Sequence, residues 1–209
     1  VPILVKLLAS TASEATSAAV AAVEESEDDP DFAAALAKRQ RWRKRRRDSV
    51  HALAQLASQS DATRRAIAQA GGISVLSALL PLDLEQACRQ AAEEATDNDP
   101  AHLGDGMGVP SPLLHGWVLL HDVLMAIANL SALASNKDEI ADGGGVERIA
   151  AIVDGYVRSE KPDDQIPDAC IGNGIGALAL LTTRHPRNCD RLWTTGVASS
   201  LIKLIRKHN

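Results

Sequence analysis

A pattern of about 30 residues occurs three times in this chain, and it forces an architecture of stacked units, because no single copy can bury its own apolar face. The copies read ALAQLASQSDATRRAIAQAGGISVLSALL from Ala52 to Leu80, AIANLSALASNKDEIADGGGVERIAAIV from Ala126 to Val153, and ALALLTTRHPRNCDRLWTTGVASSLIKLI from Ala177 to Ile205. Gln55 to Ile67 spans 12 residues, Asn129 to Ile140 spans 11, and Leu180 to Leu192 spans 12. Beyond Ile67, Ile140 and Leu192 the copies stay in step without a gap. Glycine falls four residues on (Gly71, Gly144, Gly196), and apolar residues fall at six, nine, twelve and thirteen. The opening VPILVKLL fits the same tail, with Val1 at offset six and Leu8 at offset thirteen.

The apolar spacing is helical. No alternation of Val, Ile and Thr stands between turn signals, so the chain reads as all-α. Hydrophobic residues make up 45% of it but aromatics only 2%, so the core is built from Ala, Leu, Ile and Val, which lets helices approach closely. The longest apolar stretch, Trp117 to Ala134, is interrupted by His121 and Asp122, so no membrane span is expected. Cys88, Cys170 and Cys189 form no C-x-x-C pair, which excludes a zinc site or disulfide framework of recognisable spacing. Each reads as a small core hydrophobe in a reducing compartment.

The repeated blocks resemble the armadillo repeat, whose pattern runs roughly ALxNLA, a turn, then IxxAGAIxxLVxLL, over about 42 residues. The resemblance implies an armadillo-type right-handed α-solenoid of about three to four repeats. Residues 1–209 would form one such unit. RRAIAQA-type blocks would be first helices, the blocks after glycine second helices, and ALAQLA-type blocks the ends of third helices. A start without Met in mid-repeat and an end on a second helix fit a fragment of a longer array. HEAT repeats, the near competitor, lack the glycine turn.

Between the second helix and the third-helix anchor that family pattern needs about 17 residues. Here Leu8 to Gln55 is 47, Leu80 to Asn129 is 49 and Val153 to Leu180 is 27. The extra residues, at 10–40, 82–111 and 158–167, enter the same loop of successive repeats, and insertions on one edge often mark the binding face.

The first insertion carries two charge blocks. Glu24 to Asp31 holds six acids in eight residues, and Lys38 to Arg47 holds eight bases in ten. No Pro or Gly lies between Asp31 and Ala57, so a third helix capped by Asp29 and opened by Pro30 should run about 27 residues. Its extension over 31–47 would be a basic shaft standing off the edge. Lys38, Arg39, Arg41, Trp42, Arg43, Lys44, Arg45, Arg46 and Arg47 read as a docking arm for an acidic protein surface, as a nuclear localisation signal, or as a solvated face. Nucleic acid is disfavoured: outside the two blocks 14 bases stand against 21 acids, leaving no second basic face.

In armadillo proteins the third helices line a concave groove. By the resemblance, the import adaptors' peptide-gripping Asn maps onto Gln55, Asn129 and Leu180, and their Trp onto His51, Met125 and Gly176. Only Asn129 matches, and without the Trp ladder cation–π pockets for basic side chains are missing. One turn further back stand Asp48, Asp122 and Asn173. These nine residues form the expected groove floor, although Met125, Gly176 and Leu180 also fit burial between repeats. Gly172, Gly174 and Gly176 read as close helix packing, and the G-x-G-x-G at Gly104, Gly106 and Gly108 lacks the strand and helix that a phosphate loop needs.

No nucleophile elbow or HExxH occurs, and His121 and Asp122, adjacent on a helix, should point apart, so no catalysis, metal or cofactor is expected. The reading is a non-catalytic protein–protein interaction scaffold, a subunit or adaptor in a larger assembly. The resemblance offers cytoskeletal and ciliary precedent in the cytoplasm, with the nucleus reached through the basic run. The alternative is a transport or chaperone adaptor that recognises a linear peptide in the groove. Either way the partners are proteins, through an acidic surface or an extended peptide.

Overall fold

The computed structural model describes residues 1–10, 30–96, 112–159 and 166–207, and all regular structure among them is helical. Glu24 to Asp29, the glycines at 104, 106 and 108, and residues 160–165 lie outside the described residues. The helices are α1 (2–10), α2 (Pro30–Gln59), α3 (Asp61–Gln69), α4 (Gly72–Leu79), α5 (Leu84–Thr96) and α6 (Pro112–Ser131). A 3-10 turn at Ala134–Asn136 leads into α7 (Lys137–Asp142), followed by α8 (Gly145–Arg158), α9 (Asp168–Thr182), α10 (Pro186–Thr194) and α11 (Val197–Lys207).

Three short helices are each followed by another helix across a glycine turn, longer than the first in two of the three cases (α8 and α11). Gly71, Gly144 and Gly196 take φ of 81°, 80° and 75°, a left-handed conformation that L side chains resist and glycine accepts. These turns lie between α3 and α4, α7 and α8, and α10 and α11. The long helices form a row in which α6 lies between α2 and α9, while α8 packs on α9 and on α11. The core, shared by the long and the short helices, is the expected aliphatic one, with Leu53, Ile67, Leu76, Leu124, Ile127, Ile140, Ile149 and Leu181 fully buried.

One polar device repeats with the fold. Four residues before Ile67, Ile140 and Leu192 stand Thr63, Asn136 and Asn188. Thr63 Oγ1 donates to Leu56 O at 2.7 Å, Asn136 Nδ2 to Leu130 O at 3.1 Å and Asn188 Nδ2 to Leu181 O at 3.1 Å. Each satisfies a carbonyl near the end of the preceding long helix, a group that a helix cannot satisfy itself. The sequence hides the device because two residue types perform it.

Two expectations are corrected. The insertion at 82–111 reads as material outside the repeat, yet its first half, α5, belongs to the core: Leu84, Ala87 and Ala91 are buried. Two glycines admit it. A Cβ on Gly116 would collide with the Ala91 carbonyl, and one on Gly155 would lie 2.8 Å from Leu84 Cβ. Close packing also fails as the account of two of the α9 glycines. A Cβ on Gly174 would touch Ile149 and Val153 at 3.4 and 3.5 Å, but Gly172 and Gly176 face open space.

Candidate functional site

The row α2–α6–α9 carries the residues that the sequence singles out. Asp122, on α6, is buried, and its two carboxylate oxygens each meet an imidazole, His51 Nδ1 from α2 at 3.0 Å and His121 Nδ1 at 3.1 Å. A carboxylate only accepts, so each ring donates from Nδ1 and keeps Nε2 as its acceptor when neutral. The expectation that His121 and Asp122 point apart is thus overturned. Burial fixes the short Asp side chain, and the longer, half-exposed His121 folds back over it.

Two amides continue the stitching. Asn129 Nδ2 donates to Ala54 O on α2 at 3.2 Å, and Asn173 Nδ2 on α9 reaches His121 O at 3.5 Å. Asn129, the one position that matches the import adaptors, therefore spends a donor within the fold. Met125 is half-buried against the core, but Leu180 is 38% exposed, not buried between repeats. Gly176 is half-exposed beside open space. Asp48, His51 and Gln55 lie along one exposed face of α2.

The basic shaft does not stand wholly clear. Arg43 donates from Nη1 to Glu93 O at 2.5 Å and lies 3.7 Å from the Glu93 carboxylate, while Arg46 pairs with the buried carboxylate of Glu94. Both partners sit on α5. The reason is the helix period: Arg43 and Arg46, three residues apart, share the side of α2 that α5 approaches. Lys38, Arg41, Lys44 and Arg45 are exposed, and Arg39, Trp42 and Arg47 are half-buried. Sequence reasoning places all nine on the helix but cannot tell which face a neighbour covers.

Of the three cysteines expected in the core, Cys189 is exposed. The Cys170 thiol is buried and pushed up to about 12, first by desolvation and then by nearby Asp122, so it stays protonated. Burial also raises half-buried Cys88. Among the described residues no group of three or more His, Cys, Asp and Glu is disposed to hold a metal ion, and no helix is long and apolar enough to cross a membrane. No protein-family model, curated protein or solved structure matches this chain.

Proposed function

We propose that the chain is an armadillo-type right-handed α-solenoid of about three to four repeats that serves as a non-catalytic scaffold or adaptor, holding partner proteins along the α2–α6–α9 row. Recurrence of the left-handed glycine between two consecutive helices, at Gly71, Gly144 and Gly196, supports the repeat assignment. The function is carried by one observation. The row keeps a face of mixed chemistry open to solvent, with Asp48, His51 and Gln55 at one side and Leu180 at the other. Among the described residues, Asp122, Asn129 and Asn173 of the row are used for joining helices.

The test is position-dependent crosslinking. A photoreactive residue in place of Gln55 or Leu180 should capture partner proteins in native extract, whereas the same residue at exposed Arg158 or Lys203 should not. Equal capture at all four positions, or none from the row, would sink the proposal.

A further inference from the structure

We infer that the partner segment held by this row is extended and acidic at one end, and that its acidic end lies along Lys38, Arg41, Lys44 and Arg45. The inference rests on the scaffold reading and adds the chemistry of what is held.

The eight bases of α2 divide by helical angle into groups with different fates. Arg43 and Arg46 face α5 and are met there by Glu93 and Glu94. Lys38, Arg41, Lys44 and Arg45 face solvent. Among the described residues none of these four has a carboxylate within ion-pair reach, and Arg41 only donates from Nε to its own helix, at Ala37 O, 3.1 Å away. The same helix thus shows what the arginines do when acid is at hand, and among the described residues it leaves four cations without it.

Those four are not an isolated patch. Their face continues directly into Asp48, His51 and Gln55, so the stripe is the outer stretch of the row's own wall. Lys38 to Arg45 covers about 10 Å at 1.5 Å per residue. An extended chain presents same-side residues every ~6.6 Å, close to the ~5.4 Å helical turn, so an acid at alternate positions meets about one cation per turn. Asp48 then ends the stripe, and an acidic tract continuing past it would be repelled. Beyond it His51 Nε2 and the Gln55 amide suit an uncharged stretch with backbone donors and acceptors to satisfy.

Nucleic acid fits less well. The cations form a strip one helix wide, Asp48 interrupts it, and Trp42 is half-buried instead of lying open as a stacking platform. The whole chain carries a net charge of −5, so attraction is confined to this stripe.

The probe is a fluorescein-labelled ten-residue peptide with alternating Glu in its first half and Ser, Thr and Val in its second, followed by fluorescence anisotropy. The expected result is binding that weakens at least about tenfold in K38Q/R41Q/K44Q/R45Q, with a flatter salt dependence. All four side chains are exposed, and circular dichroism checks that the variant stays helical. Replacing the probe's Glu by Gln should produce the same loss without touching the protein. A single-stranded oligonucleotide of equal charge should bind more weakly than the peptide. Unchanged affinity in the quadruple variant, no binding of the acidic peptide, or tighter binding of the oligonucleotide would each overturn the inference. Crosslinking from Gln55 and Leu180 would still report separately on the scaffold reading.

Discussion

At the scale of single residues, glycine plays opposite parts in this chain. Gly144 holds φ at 80°, so a methyl group there is strained whatever room surrounds it. Gly172 and Gly176 lie inside α9 with open space where a Cβ would sit, and a glycine costs a helix interior up to about 1 kcal/mol relative to alanine. Denaturant titration should therefore show Gly144→Ala destabilised by about 1–2 kcal/mol, and Gly172→Ala and Gly176→Ala each stabilised by about 0.5–1 kcal/mol. A fall for Gly172→Ala would show that its surroundings are fuller than the geometry has them. The turn glycines were legible because backbone conformation is local and the copies repeat it. Gly172 and Gly176 escape the close-packing reading that suits Gly174, because free volume beside a helix depends on what packs there. The site divides in the same way: Asp48, His51 and Gln55 follow from helix period, whereas the clasp of His51 and His121 on Asp122 depends on how α2 meets α6.

Among the elements, α5 most changes the reading of the sequence. Its pattern of Leu84, Ala87 and Ala91 is that of a helix with one buried stripe, but nothing local says which neighbours bury it. The answer lies at Gly116, far along the chain, where the absence of a side chain lets the Ala91 backbone press against α6. Gly116→Ala should push α5 outward, lower stability by about 1–3 kcal/mol, and raise amide exchange in α5 above that in α9. Uniform exchange across both helices would contradict this. Displacing α5 would also take Glu93 and Glu94 away from Arg43 and Arg46. For the same reason, neutralising all of Arg43 to Arg47 is a poor test of docking, since it disturbs an internal contact. Exposed Lys38, Arg41, Lys44 and Arg45 separate the two effects.

Across the whole molecule, position along the row decides what a residue is worth. At offsets ten and thirteen from the anchor the earlier units bury their side chains: Val5 and Leu8, Ser77 and Leu80, Ala150 and Val153. The same offsets in the last described unit are Ile202, 50% exposed, and Ile205, 62% exposed. Thermal or chemical unfolding should find Val153→Glu destabilised by about 3 kcal/mol or more, since a charge would enter the core unpaired. Ile205→Glu should stay within about 0.5 kcal/mol of the parent. Comparable losses from both would mean that Ile205 is covered in solution. The central helix has a different consequence. Because α6 borders α2, α4, α5 and α9, a chain severed between residues 96 and 112 would part into two fragments, each with a raw seam where the other had been. Their reunion would be second order, rising with concentration, and the cut protein would report its own reassembly.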